Sequence, residues 1–178
     1  MVPSIFETGS PGEYISMDYM AYGKHDVAIV KDRVSGLMQA YITKDKTAES
    51  AVKALQMWSH KLGFPTEVRS DGGPCFKSRF TEYCKSMGIN HIKSSPYFSQ
   101  SNGAAERSVG LLKHLLVKTH QGTPSRLLKQ EELDAMTFRL NSHRDPKEGS
   151  PLEKFFGRGA HLPTCSELPQ GRSPGAHR

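Results

Sequence analysis

The stretch Thr66 to Pro74 (TEVRSDGGP) combines a short predicted strand, an acidic residue and a turn. Its first four residues, 66–69, are predicted to form a short β-strand, and Asp71 falls at the carboxyl end of that strand. The sequence Gly-Gly-Pro that follows predicts a turn, because these residues favour turn conformations and do not continue a strand. An acidic side chain is therefore predicted to stand at the carboxyl edge of a sheet.

Three strands are predicted upstream of this stretch. They span Tyr14–Met20, His25–Lys31 and Leu37–Thr43, and their short links predict an antiparallel meander. Thr47 is a predicted cap for a helix that runs to about Leu62. The apolar residues of this helix recur at helical spacing and predict one buried stripe: Ala48, Val52, Leu55, Trp58 and Leu62.

Downstream, helical and extended segments alternate. A helix is predicted over Phe76–Met87, a strand over Ile89–Lys93, a polar loop over 94–102 and two helices over 101–118 and 131–140. A meander followed by strand–helix units implies an α/β fold, in which a mixed sheet carries helices on its faces.

The size of the chain bounds its organisation. Its 178 residues predict one domain. We expect a lead-in over residues 1–12, a core over 13–158 and a disordered tail over 159–178, where Pro, Gly and small polar residues dominate.

Charge and cysteine content restrict the class of protein. Lys and Arg outnumber Asp and Glu by 24 to 18, and the resulting charge of +6 favours polyanionic partners such as nucleic acid, or simply solubility. The three cysteines include no C-x-x-C pair, so neither a disulfide framework nor a zinc site is expected. No apolar run reaches the length of a membrane span, and no signal peptide is evident.

Three carboxylates form a candidate catalytic set. Asp18 lies on the first predicted strand, Asp71 ends the fourth, and Glu106 lies one to two turns inside the long helix, on the same face as Lys113. Three adjacent carboxylates repel one another unless cations are bound, and their oxygens suit Mg²⁺ or Mn²⁺. Two such ions would support phosphodiester chemistry. By spacing alone, the metal site is the weaker explanation: most carboxylates are solvated surface groups, and Asp71 could simply be a turn residue.

Several ordered motifs resemble the catalytic cores of retroviral and LTR-retrotransposon integrases, especially the Ty3/gypsy type. The resemblance is carried by Ser70–Phe76 (SDGGPCF), Gly88–Tyr97 (GINHIKSSPY), Gln100–Arg107 (QSNGAAER) and Pro151–Arg158 (PLEKFFGR). It covers roughly residues 10–165.

The resemblance implies an RNase H-like fold, with a five-stranded mixed sheet flanked by helices, and a D-D-E core that performs DNA cleavage and strand transfer with Mg²⁺ or Mn²⁺. By position, Asp18, Asp71 and Glu106 would be the catalytic metal ligands. The residues implied to contact DNA are Gln100, Asn102, Arg107 and Lys113. DNA and further copies of the chain are the implied partners, with no membrane and no small-molecule cofactor, and the nucleus is the expected location.

Departures from the family pattern leave alternatives open. Asp71 and Glu106 are separated by 34 residues, one fewer than is usual in the family, and Gly72 replaces the usual Asn. No His-His-Cys-Cys zinc motif precedes the core, and no recognisable DNA-binding domain follows it. A degenerate or domesticated module that binds DNA or protein without chemistry is one alternative. An RNase H-type nuclease is a weaker one, since such enzymes usually need a fourth carboxylate.

Overall fold

A computed structural model of the chain describes residues 8–94, 103–120 and 127–157, without the side chains of 103–108. Its strands are β1 (Tyr14–Tyr22), β2 (His25–Asp32), β3 (Met38–Thr43), β4 (Glu67–Ser70) and β5 (Asn90–Lys93). Its helices are α1 (Ala48–Leu62), α2 (Ser78–Ser86), α3 (Gly103–Thr119), α4 (Gln130–Ser142) and α5 (Pro151–Phe156), with a 3₁₀ turn over Pro74–Phe76.

The strands form one five-stranded mixed sheet in the order β3-β2-β1-β4-β5. The meander β1-β2-β3 is antiparallel, whereas β4 pairs parallel with β1 and β5 pairs parallel with β4. The predicted fold class is thus confirmed, and the nine predicted elements occur in the predicted order. No helix in the described ranges is long and apolar enough to cross a membrane.

Helices cover both faces of the sheet and divide the apolar core in two. On one face, α1 and α2 pack against alternate residues of the central strands, including Ile15, Met17 and Val68. On the other face, α3 and α4 pack against Met20 and Tyr22 and their neighbours on β2 and β3. This alternation follows from the period of two in a strand, which sends successive side chains to opposite faces.

Two helix predictions are corrected by local geometry. The predicted helix over 76–87 is split, because the 3₁₀ turn begins with Pro74 and Lys77 adopts an extended conformation before α2 starts. The buried face of α1 is centred on Ala51, Leu55 and Trp58, with Ala54 also buried, while Ala48 is only half-buried.

The sequence reading also missed α5. This helix has six residues, too few for a hydrophobic period to be recognised, but it begins with a complete capping box. The Ser150 hydroxyl accepts a hydrogen bond from the Glu153 amide at 3.1 Å, and the Glu153 carboxylate accepts one from the Ser150 amide at 2.9 Å. The Phe155 ring then packs edge-on against Trp58 of α1.

The edge strand β3 is sealed by two amide side chains of α4. Asn141 accepts a hydrogen bond from the Met38 N–H at 2.9 Å and donates one to the Met38 carbonyl at 2.8 Å. Gln130 accepts from the Ile42 N–H at 2.9 Å and donates to the Ala40 carbonyl at 2.8 Å. These amides take the place of a further strand, so an edge that would otherwise invite pairing with another chain is satisfied internally.

We predict that Asn141→Leu destabilises the fold. Leucine has no hydrogen-bonding group, so the Met38 N–H and C=O lose their partners, and each loss costs about 1–3 kcal/mol of unfolding free energy. Urea unfolding monitored by circular dichroism measures the loss. Arg139→Ala, at an exposed position of the same helix, is the matched control. Equal stability of the Asn141→Leu and Arg139→Ala proteins would contradict the role assigned to the amide.

Candidate active site beside β1 and the carboxyl end of β4

The parallel pairing of β1 with β4 brings two predicted ligands side by side. The pairing matches Tyr14 with Glu67 and Ser16 with Arg69. Continued by two residues, the same register sets Asp18 opposite Asp71, on strands about 4.8 Å apart. Asp18 lies within β1, while Asp71 is the first residue after β4, and both side chains are exposed.

The two carboxylates are oriented by nearby backbone amides. Asp18 Oδ1 accepts a hydrogen bond from the Tyr19 N–H at 2.7 Å. Asp71 Oδ1 accepts one from the Gly73 N–H at 2.8 Å, which closes a tight Asx turn at the end of β4. Asp71 Oδ2 makes no hydrogen bond within the described part of the chain, so it remains available to a cation.

The pKa of the Cys75 thiol is affected by the charged groups near Asp18 and Asp71. Burial is the main reason that its pKa is raised, and the Asp71 and Asp18 carboxylates raise it further by repelling the thiolate. The Lys46 ammonium acts in the opposite direction. One buried thiol thus lies within electrostatic reach of both acids and of a cation.

Lys46 was not singled out in the sequence. It lies in the link between β3 and α1, and its Nζ stands 5.7 Å from the centre of the Tyr19 ring, next to Asp18 in β1. Burial raises the pKa of Tyr19 to about 12, so the phenol stays neutral near physiological pH. No spacing in the sequence could have identified Lys46, because only the sheet brings residues 46, 19 and 75 together.

The third predicted ligand is described only in part. Glu106 lies in α3, three residues after the first residue of that helix, but its side chain is outside the described residues. Gln100 and Asn102 lie outside the described residues altogether, and the side chain of Arg107 does too. Lys113 is described and exposed on α3. Among the described side chains, no group of three acids, histidines or cysteines is arranged to hold a metal.

The carboxyl-terminal half of α3 is fixed to the sheet. The Tyr22 hydroxyl donates a hydrogen bond to the Leu116 carbonyl at 3.3 Å, and the His120 ring packs edge-on against Tyr22. His120 Nε2 also contacts Glu132 of α4 at 2.8 Å. Leu112 and Leu116 are fully buried against the sheet, so the helix has a defined path over β1.

Comparison with known families identifies the class of domain. The family model described as "Integrase core domain" matches residues 9–99. The chain is 31% identical over 153 residues to the Pro-Pol polyprotein of simian foamy virus type 3, covering 85% of this chain but only 13% of that polyprotein. It is 32% identical over 108 residues to the Gag-Pro-Pol polyprotein of human T-cell leukemia virus 2, covering 60% of this chain and 7% of that one.

Solved structures show the same fold. The catalytic core domain of BIV integrase superposes with a TM-score of 0.68 at 25% identity, covering 82% of this chain and 95% of that one. The HTLV-2 integrase catalytic core domain, solved with magnesium in a trimeric form, gives a TM-score of 0.67 at 23% identity, over 82% and 97%. A chain of the simian T-cell lymphotropic virus intasome, in complex with PP2A regulatory subunit B56 gamma, gives 0.74 at 24%, over 97% and 63%.

The matched family model agrees with the five-stranded sheet and with the positions of Asp18 and Asp71 on it. The chain belongs to the integrase core domain family, and its fold is RNase H-like.

Proposed function

We propose that this domain is a polynucleotidyl transferase of the D-D-E type, which cleaves and rejoins DNA phosphodiester bonds with Mg²⁺ or Mn²⁺. The observation that carries the proposal is the β1–β4 register, which, continued by two residues, sets Asp18 in the middle of β1 opposite Asp71 just after the carboxyl end of β4. The chain spans a small fraction of the polyproteins it matches, so the activity is proposed for this domain from its own residues.

The path of α3 supports Glu106 as the third ligand. From Leu116, which is bonded to Tyr22, the helix backbone covers about 15 Å to reach Glu106, at about 1.5 Å per residue. From Tyr22 back to Asp18, β1 covers about 13 Å. The two lengths are similar, so a path of α3 along β1 would bring Glu106 to the level of Asp18.

The donor set fits a hard divalent cation. Carboxylate oxygens are the ligands that Mg²⁺ and Mn²⁺ prefer, and one oxygen of Asp71 accepts no hydrogen bond from any described residue. Two ions held by Asp18, Asp71 and Glu106 would supply neutralisation of the attacking and leaving oxygens of a phosphoryl transfer. The HTLV-2 core domain was solved in complex with magnesium, which supports the same choice here.

The other residues of this edge would bind and orient the DNA. Lys113 lies two helical turns after Glu106 and therefore on the same face of α3, where an ammonium suits a backbone phosphate. Lys46 adds a second cation beside Tyr19. Gln100, Asn102 and Arg107 are proposed to contact DNA on the strength of their motif.

We also propose that the domain self-associates and acts on DNA in the nucleus. The HTLV-2 core domain was solved in dimeric and trimeric forms, and the relative in the intasome belongs to a larger assembly. Sedimentation that shows only monomer at every concentration would contradict self-association. Exclusion of the full-length protein from the nucleus in fluorescence microscopy would contradict the location.

The central prediction concerns the carboxylates. Glu106→Gln and Asp71→Asn should each reduce Mn²⁺-dependent nicking of branched DNA by at least about 100-fold, because each removes a charge that holds the cations. Glu82→Gln, an exposed acid on α2, is the control and should retain activity. Wild-type nicking by Glu106→Gln would refute the proposal, and DNA binding without any turnover would favour the degenerate binding module. Preference for RNA–DNA hybrids over DNA would favour an RNase H-type nuclease.

A second prediction concerns Lys113. Lys113→Ala should weaken DNA binding and lower the salt slope of the binding constant by about 1, because one phosphate contact is lost. Lys118→Ala, also exposed but on another face of α3, should leave the slope unchanged. Fluorescence anisotropy between about 50 and 200 mM salt measures both variants. Equal slopes for the two variants would remove Lys113 from the DNA contact.

The two glycines after Asp71 give a third prediction. A Cβ at Gly72 would meet open space, whereas a Cβ at Gly73 would lie 2.8 Å from Asp71 Oδ1. Gly72→Ala should therefore raise the unfolding free energy by about 0.4–1 kcal/mol and keep activity.

Gly73→Ala should instead reduce nicking, since its backbone conformation (φ −60°) accepts alanine and the main cost falls on the Asp71 carboxylate. Thermal unfolding and the nicking assay separate the two effects. If both variants are equally active, the orientation of Asp71 by the Gly73 turn does not matter for the chemistry.

A further inference from the structure

A chain of polar side chains lies directly behind Asp71, on the face of the sheet that α1 and α2 cover. Ser70 ends β4, and His91 lies on β5, where it pairs with Val68. The Ser70 hydroxyl contacts His91 Nε2 at 2.7 Å, and Thr81 of α2 contacts His91 Nδ1 at 2.8 Å. The Phe80 ring packs edge-on against the imidazole at 4.9 Å. Both ring nitrogens of a half-buried histidine are thus engaged.

The direction of each hydrogen bond follows from the proton count. The Ser70 hydroxyl has one proton, and it donates that proton to the Asp71 carbonyl at 3.0 Å. Towards His91, the same oxygen accepts, so Nε2 carries a proton. A neutral ring then leaves Nδ1 to accept from the Thr81 hydroxyl. Burial, together with Lys93, lowers the pKa of His91, which favours this neutral form.

The chain of donors therefore runs from Thr81 through His91 and Ser70 to the backbone of Asp71. Asp71 is held at two points, its carbonyl by Ser70 and its carboxylate by the Gly73 amide. It is also the first residue after β4, where ladder hydrogen bonds no longer define the backbone. Groups that orient a metal-binding side chain in this way commonly alter metal affinity when they are removed.

We propose that His91 is a positioning residue that sets the orientation of Asp71 through Ser70. The inference rests on the proposed role of Asp71 as a metal ligand. It assigns His91 no contact with metal or DNA, since its ring faces α2, on the side of the sheet opposite Asp18 and Asp71.

The test compares two replacements at position 91. His91→Phe keeps a ring for Phe80 but cannot hydrogen-bond, whereas His91→Gln supplies one amide donor for Ser70. Mn²⁺ alone, titrated into the full chain and followed by water proton relaxation, is the probe. His91→Phe should weaken Mn²⁺ binding by about 10- to 100-fold, and His91→Gln should restore most of the affinity. His60→Phe, at an exposed position of α1, is the control and should bind as the unmodified chain does.

Ser70→Ala should weaken Mn²⁺ binding as much as His91→Phe, and the double variant should be no weaker, because both break the same chain. If His91 only stabilises the fold, the Mn²⁺ affinity of each variant follows its folding stability. His91→Phe and His91→Gln would then lose Mn²⁺ binding only in proportion to the fraction of each protein that is unfolded. Circular dichroism under the same conditions measures that fraction. Undiminished affinity in folded His91→Phe would overturn the inference.

A metal-free measurement separates this inference from the proposed function. If Asp71→Asn does not change Mn²⁺ binding, the metal role of Asp71 fails, and the ¹⁵N spectrum of the His91 ring decides whether the chain of donors exists. A neutral ring protonated at Nε2 is expected, with a shift of the Asp71 carbonyl ¹³C signal in His91→Phe. A ring protonated at Nδ1, or an Asp71 signal that does not move, would overturn the positioning role.

Discussion

The parallel pairing of β1 with β4 is the constraint on which the rest of the molecule depends. It joins the antiparallel meander to the two strands that follow α1, and it fixes which residues share a level at the carboxyl edge. A slip of one residue would turn Asp71 to the opposite face, because side chains alternate along a strand. The buried contacts of Ile15, Met17 and Val68 with α1 and α2 resist such a slip. Packing on one face of the sheet thereby holds the acids in register on the other.

Polar side chains satisfy backbone groups at two other places on this sheet. At the β3 edge, Asn141 and Gln130 satisfy backbone groups that would otherwise be exposed for pairing. At the turn after β2, the fully buried Asp32 accepts hydrogen bonds from the Ser35 amide and hydroxyl and from the Gly12 amide. Each of these side chains gives a hydrogen-bond partner to backbone groups that have none in the strand ladder.

Family membership identifies the kind of domain, whereas the geometry of the site shows how its residues are arranged. The match to the integrase core domain and the related folds establish what kind of domain this is. Three contacts observed in this chain show how its motif residues are arranged. They are the β1–β4 register, the Asx turn at Asp71 and the contact between Ser70 and His91. Gly72 stands where the family usually has Asn, and a Cβ at this position would meet no atom within 4 Å.

Most of the elements and their order could be predicted from the sequence, because turn residues and apolar periods act over a few neighbours. The sequence predicted the meander, the helix capped by Thr47 and the position of Asp71 at the end of a strand. The Thr47 hydroxyl does accept a hydrogen bond from the Ser50 amide. The short helix α5 and the break at Lys77 were missed, since six residues hold no clear period and one extended residue leaves no pattern.

Three relations became visible in the folded structure alone. The β1–β4 register, continued by two residues, sets Asp18 opposite Asp71, Lys46 lies beside Tyr19, and His91 bridges Ser70 and Thr81. These contacts join residues that are distant in sequence, and they form because the sheet and its packed helices bring separate strands together.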